Sequence, residues 1–369
     1  MRARRQLDDA DKDGASPTAS QQRLLSLLGL GQGDIPDVTT LWARPLPEET
    51  NAHLRTPIGL KVDGSPVWLD LREGFSGGDG PHGVLSGTTG TGKTTVLQSL
   101  LFGLCAQNSP DNLQVMLISG KGETAFTNFA DYPHVTTVPD GSDYTELLSA
   151  LIADRIETLR RVDALSDEDW IADGVDDLPA DDADSGSEGI EEADTAVEDE
   201  PTTNPSVENL DEHFGAGSVR AVRAAPQAGT IGDYHYVRSQ VVDGALPPLP
   251  YTVLVLSELG ELTRQDPGLG YAVESVLRKG RSLGIHVLIA NQVLDPITAG
   301  RISNHTTYRI TMGSDPMDGS NAVRVPSARG SGLYVSRPGA EPVAFQGFMV
   351  SPELVRDVGR RVARVPDGC

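Results

Sequence analysis

The chain has 369 residues, 38% of them hydrophobic, and a formal net charge of −23. That is ample for a buried core but slightly lean for a wholly globular chain, which points to one folded unit plus a polar segment. No run approaches ~18 consecutive apolar residues, the N-terminal MRARRQLDDADKDG has no apolar stretch, and only Cys105 and Cys369 carry thiols; a membrane span, a secretory signal and a disulfide framework are therefore not expected, and a reducing cytosol is.

Residues 1–19 are polar and charged and read as a flexible tail. Gln21 to Leu30 (QQRLLSLLGL) reads as a short amphipathic helix ended by Gly31 and Gly33, suited to dock on a neighbour or on the chain's own core. Ile58–Val62 and Pro66–Leu71, separated by Asp63-Gly64, predict a hairpin. From His82 the pattern becomes strand then helix. Gly83–Ser86 is a short strand, Lys93–Cys105 a helix, Leu113–Ile118 a continuous apolar strand and Tyr144–Val162 a helix.

The run from about Asp163 to Gln227 interrupts the alternation. Between Ser166 and Glu212 it holds 19 Asp and Glu and no Lys or Arg, so taking these 19 charges away from −23 leaves only −4 for everything else. Such a segment buries too little apolar surface to offset its ordering entropy, and it reads as a disordered insertion at 163–227 within one domain. Beyond it, Thr252–Leu256 is another buried strand, Gly270–Leu283 a helix, Ile285–Ala290 a strand, Tyr308–Met312 and Gly332–Val335 further strands, and Val343–Val350 an edge strand. Alternating strands and helices imply an α/β fold with a mainly parallel sheet covered on both faces.

One motif carries chemistry. Gly87-Thr88-Thr89-Gly90-Thr91-Gly92-Lys93-Thr94 has the spacing G-x-x-x-x-G-K-T, preceded by a short strand and followed by a helix, as a P-loop requires. Glycines let successive N–H groups turn inward around an anion, and the helix start adds free N–H groups. Lys93 supplies a point charge near the β- and γ-phosphates, the Thr94 hydroxyl is placed to ligate Mg²⁺, and Thr95 belongs to the same binding stretch. The cofactors expected are ATP and Mg²⁺.

P-loop ATPases also need an apolar strand ending in an acidic pair, the first acid serving the metal and the second polarising the attacking water. The candidate is Tyr251–Glu258 (YTVLVLSE). Glu258 fills the second place, or is merely a solvated residue after a core strand. Ser257 stands in the first: it can hydrogen-bond a metal-bound water but brings no anionic charge.

The run GPHGVLSGTTGTGKTTVLQSLLFGL resembles the FtsK/SpoIIIE branch of P-loop ATPases, most of all the EccC-type ATPase domains of type VII (ESX) secretion systems. RTPIGLKVDGSPVWLDLRE, SGKGETAF with YPHV, RKGRSLGIHVLIANQ, NHTTYRITM and GSGLYV agree, so the resemblance covers about 20–162 and 228–352. It implies a RecA-like domain over 58–352, with a lead-in helix and loop at 20–57 and a C-terminal tail at 353–369. It implies that Gln292 senses the γ-phosphate, unless it is simply a polar strand end. Arg278, Lys279 and Arg281 are either a source of an arginine finger for a neighbouring subunit or a solvated helix face; Lys121 is similarly ambiguous. His82 reads as structural.

The departures from the family are Ser119 and Ser257, each where an Asp is usual, and Glu123 where a Gly is usual. They imply a degenerate acidic motif and weak hydrolysis. The partners implied are other EccC-type ATPase domains or membrane-anchored secretion subunits in a homo- or hetero-oligomer, with small helical secreted substrates. Neither nucleic acid nor direct membrane insertion is expected; the location is cytoplasmic, or peripheral at the inner face of the cell membrane through partners. The rival readings are a non-hydrolysing docking or regulatory subunit and, more remotely, an FtsK-like DNA translocase.

Overall fold

The computed structural model describes residues 17–31, 35–47, 52–120, 123–165, 229–241, 244–292, 296–313 and 328–365. Ten strands among them form one sheet: β1 Arg55–Leu60, β2 Pro66–Asp70, β3 His82–Gly87, β4 Leu113–Ser119, β5 Val135–Thr137, β6 Tyr251–Ser257, β7 Ile285–Asn291, β8 Tyr308–Met312, β9 Ser331–Val335 and β10 Val343–Gly347. Their spatial order is β2-β1-β10-β9-β8-β3-β7-β6-β4-β5. The six strands from β8 to β5 are parallel neighbours, and the four from β9 to β2 run antiparallel. This is the mostly parallel α/β architecture the alternating pattern predicts, in keeping with the RecA-like domain the resemblance implies.

The parallel strands are apolar because both faces are covered. β6 is buried from Tyr251 to Leu256 and β7 along its whole length. The helices are α1 Pro17–Leu28, α2 Thr39–Trp42, α3 Lys93–Gln107, α4 Tyr144–Arg160, α5 Ile231–Gln240, α6 Leu259–Gln265, α7 Leu269–Leu283, α8 Pro296–Ser303 and α9 Pro352–Val362. α3 buries Val96, Leu97, Leu100, Leu101, Phe102, Leu104 and Cys105, so it is apolar around most of its circumference. α7 instead buries a stripe of Leu269, Ala272, Val273, Val276, Leu277, Gly280 and Leu283 and exposes Tyr271, Arg278, Lys279 and Arg281.

Three boundaries differ from the sequence reading. The first helix reaches back to Pro17, inside the stretch read as a tail, because proline suits a first turn; it stops at Leu28, before Gly29 at φ 77°. It docks on the chain's own core: Leu24, Leu25 and Leu28 are buried, the Ser20 hydroxyl accepts from Met349 N–H (3.0 Å) and Gln21 Oε1 from Ser351 N–H (2.9 Å). The segment read as a C-terminal tail contains α9, capped by Ser351, with Leu354, Val355, Val358 and Val362 buried at helical spacing. Finally, β10 is not an edge. Its second side pairs with β1, Gly59 opposite Gly347, a long-range pairing that local sequence does not reveal. Residues 166–228, most of the acidic run, lie outside the described part.

Candidate nucleotide-binding site

β3 lies inside the parallel sheet, between β7 and β8, and its C-terminal end runs into the glycine loop. In open α/β sheets the carboxyl ends of the strands are where ligands bind. Gly87, Gly90 and Gly92 take φ values of 144°, 86° and 105°, all in the range that favours glycine. At two of them space also matters: a Cβ on Gly87 would lie 2.6 Å from the Met312 carbonyl oxygen, and one on Gly92 would lie 3.0 Å from Gly330 Cα. Gly92 is the N-cap of α3 and Lys93 its first residue, so the first turn presents N–H groups with no side-chain cap.

The Lys93 ammonium donates to the Gly87 carbonyl and, at 3.4 Å, to the Thr88 carbonyl, which lays it across the hollow of the loop. The Thr91 hydroxyl donates to the Thr88 carbonyl (2.8 Å) and closes the bend. Thr88, Thr89, Gly90 and Thr94 are exposed, and Thr91, Gly92, Lys93 and Thr95 half-buried, so the predicted binding stretch faces outward at the sheet's edge. A cradle of inward-turning amides with one ammonium fits a polyphosphate.

Glu258 and Gln292, far apart in sequence, meet beside it. β6 ends at Ser257, and Glu258 turns the chain sharply with φ 57° and ψ 50°, the one non-glycine at positive φ among the described residues. A carboxylate in this sparsely populated region is a local strain of about 1 kcal/mol or more, of the kind found at functional sites. Its N–H donates to the Ala290 carbonyl (2.7 Å), tying it to β7, while its Oε1 accepts from Gln292 Nε2 at 3.2 Å. β7 separates β3 from β6, so the acid stands two strand spacings, about 10 Å, across the edge from the start of the loop. That gap suits a terminal phosphate and a water.

Ser257 and Ser119 are register partners at the ends of β6 and β4, and Gly120 N–H donates to the Ser257 carbonyl (2.9 Å). Two of the three positions where the resemblance implies a departure, Ser119 and Ser257, are therefore next to each other, and both carry neutral hydroxyls. Mg²⁺ accepts one or two carboxylates and otherwise phosphate and water oxygens. Thr94, Ser257 and Glu258 fit such an ion only as a lightly held one. Among the described residues no other cluster of His, Cys, Asp and Glu has the makings of a metal site.

Other predicted residues lie elsewhere. α7 precedes β7 directly, so Arg278, Lys279 and Arg281 on its last turns sit at the amino ends of the strands, opposite the loop. Arg281 pairs with Glu73, and both, with Arg278, His82, His305 and Thr307, line a cleft of about 450 Å³. These cations do not join the phosphate loop of their own chain. His82, 3% exposed at the start of β3, accepts from Val287 N–H through Nδ1 (3.1 Å), and burial pulls its pKa down to about 4, in keeping with a structural role. Lys121 lies outside the described residues. Sequence reasoning missed the far wall of the loop, formed by Met312, Gly313 and Gly330; a Cβ on Gly313 would lie 2.7 Å from Thr91 Cγ2. The available signal was Gly330 just before, and Gly332 at the start of, a short apolar strand.

The structure aligns with the cytoplasmic domain of the Thermomonospora curvata type VII secretion ATPase EccC at a TM-score of 0.63 and 27% identity, covering 93% of this chain and 34% of that one. The pCW3 conjugation coupling protein TcpA shares the fold at a TM-score of 0.53 and 15% identity, covering 94% of this chain and 84% of that one. In sequence the chain is 28% identical over 339 residues to the ESX-4 secretion system protein EccC4 of Mycobacterium tuberculosis, covering 89% of this chain and 22% of that protein. It is 29% identical over 302 residues to the ESX secretion system protein EccC of Thermomonospora curvata, covering 82% and 18%. The chain thus spans about a fifth of the length of these two curated relatives. The FtsK/SpoIIIE family profile matches residues 44–296, across the loop, Glu258 and Gln292, and the chain belongs to the FtsK/SpoIIIE family.

Proposed function

We propose that this chain is an ATP-binding, motor-type domain of a type VII protein secretion machine, which grips Mg-ATP firmly and hydrolyses it slowly. The observation that carries the reading is the pairing, on one sheet edge, of a complete phosphate loop with a strained glutamate held by Gln292. The loop amides and Lys93 bind the β- and γ-phosphates and stabilise the charge that develops on transfer. Bound Mg²⁺ supplies further neutralisation of the phosphate oxygens. Glu258 orients water for in-line attack on the γ-phosphate, and Gln292 holds the carboxylate in place and registers the terminal phosphate. Ser257 and Ser119 leave the metal side short of negative charge, which favours slow turnover. The partners that fit this reading are other EccC-type ATPase domains or membrane-anchored subunits, and small helical secreted substrates.

The same pair of serines favours a second reading, a nucleotide-binding docking or regulatory subunit that does not turn over. Mg-ATP titration together with phosphate release separates the two. Tight binding with Glu258-dependent release supports the first, and tight binding without it supports the second. Absence of ATP binding by the wild type defeats both.

A further inference from the structure

Thr91 lies in the middle of the loop, and its carbonyl accepts from Gly330 N–H at 3.0 Å. A trans peptide unit is rigid, with its C=O and N–H pointing to opposite sides. Holding the Thr91 carbonyl on the outside of the loop therefore aims the next N–H, that of Gly92, the other way, toward the hollow across which Lys93 lies. Gly330 is itself clamped. Its carbonyl accepts from Gly347 N–H (2.8 Å), and its φ of 87° belongs to a turn leading into β9.

The turn has a side-chain fastener. Gln346 on β10 donates through Nε2 to the Arg329 carbonyl (3.1 Å) and accepts through Oε1 from the Ser331 hydroxyl (2.8 Å). Both ends of its amide thus go to the residues on either side of Gly330. Gln346 is exposed, so its own burial does not require these bonds, although the second of them also satisfies the buried Ser331 hydroxyl. The β9–β10 ladder, from Val343 opposite Tyr334 to Gln346 opposite Ser331, already holds the two strands through backbone bonds. What the side chain adds is the shape of the 329–331 turn.

We propose that Gln346 is a positioning residue for the phosphate loop: through the 329–331 turn and Gly330 it fixes the Thr91–Gly92 peptide so that the Gly92 amide is ready for a phosphate oxygen. The inference rests on the nucleotide reading above. It gives the antiparallel part of the sheet a part in ATP binding, although β10 carries no recognisable nucleotide motif.

The test measures three quantities on the full chain for wild type, Gln346→Ala, Gln346→Met and Lys93→Ala: Mg-ATP affinity by calorimetry, the nucleotide-free Tm, and hydrogen exchange of residues 87–95 without nucleotide. Both Gln346 variants should weaken Mg-ATP binding about five- to tenfold, the weight of one hydrogen bond. They should speed exchange across the loop and lower the nucleotide-free Tm by no more than about 5 °C, the scale of one bond lost by the buried Ser331 hydroxyl. Affinities within about twofold of wild type in both variants would overturn the proposal. So would a drop in Tm that alone accounts for the weaker binding, since Gln346 would then serve only the stability of the sheet. If wild type binds, Lys93→Ala does not, and the Gln346 variants match wild type, this inference alone fails; if wild type never binds Mg-ATP, the nucleotide reading fails and this one with it.

Discussion

The two sides of the sheet's carboxyl edge are differently equipped. At the end of β3 every part needed to hold a polyphosphate is in place: three glycines at positive φ, a helix start free of side-chain capping, and Lys93 across the loop. At the ends of β6 and β4, two strand spacings away and beyond, Ser257 and Ser119 sit side by side and Glu258 is the carboxylate at the turn. Gripping a phosphate uses amides and an ammonium, while splitting it also needs anionic charge for the metal and a placed base for water. On the proposed reading, binding and turnover are built by separate strands, so one can be thinned while the other stays intact.

Breaking the well-equipped side should have the largest effect. Lys93→Ala removes the one ammonium at the loop, and Mg-ATP affinity should fall by about two orders of magnitude or more, as read by calorimetry. An unchanged affinity would mean that the loop is not the binding site. Next comes Glu258→Gln, which keeps size and shape but removes the charge that orients water. Phosphate release should drop by about a hundredfold while Mg-ATP affinity stays within a few fold of wild type. Equal losses in both would show that Glu258 serves binding rather than chemistry.

Repairing the depleted side should sharpen the contrast with a smaller change. Ser257→Asp puts an anion at the end of β6, next in the chain to Glu258, and Mg²⁺-dependent release should rise about tenfold with little change in ATP affinity. A flat response would mean that weak turnover has another origin.

A separate contrast concerns the opposite edge. His82, His134 and His286 are buried, and burial lowers their pKa values to about 4, 4 and 3 from an ordinary 6.5. A histidine whose folded pKa is depressed binds more protons when unfolded. Its contribution is therefore present in full above pH 6.5 and is lost as pH falls toward the folded value. Between pH 7 and pH 5 the Tm should decline steadily, each of the three sites removing about 1–2 kcal/mol. A Tm that does not change over this range would show that these rings are not held neutral.

Much of this was legible in the chain's local pattern. β4, β6 and β7 are continuous apolar runs, and their predicted limits lie within one residue of the observed ones, because strands buried on both faces admit little else. The phosphate loop is contiguous, with all its parts within eight residues, and Glu258 was marked by the apolar strand before it. What stayed hidden was set by distant partners. α9 looked like a tail because only its far surface, including Tyr132 against Gly359, gives its apolar stripe something to cover. β10 looked like an edge because β1 closes its other side from nearly 300 residues away in sequence. The bond between Gln292 and Glu258 crosses 34 residues and depends on β7 lying next to β6.

The amino-acid sequence by itself determined the elements whose information is local: the apolar strands, the helix after the loop, and the glycines and lysine that a phosphate needs. Only the tertiary structure decided which residues share an edge. It set Ser119 beside Ser257, brought Gln292 to Glu258, and placed the 329–331 turn behind Thr91. The physical reason is that strand order and register are properties of the closed sheet, settled by long-range hydrogen bonds and burial, and a side chain's neighbours follow from them rather than from its place along the chain.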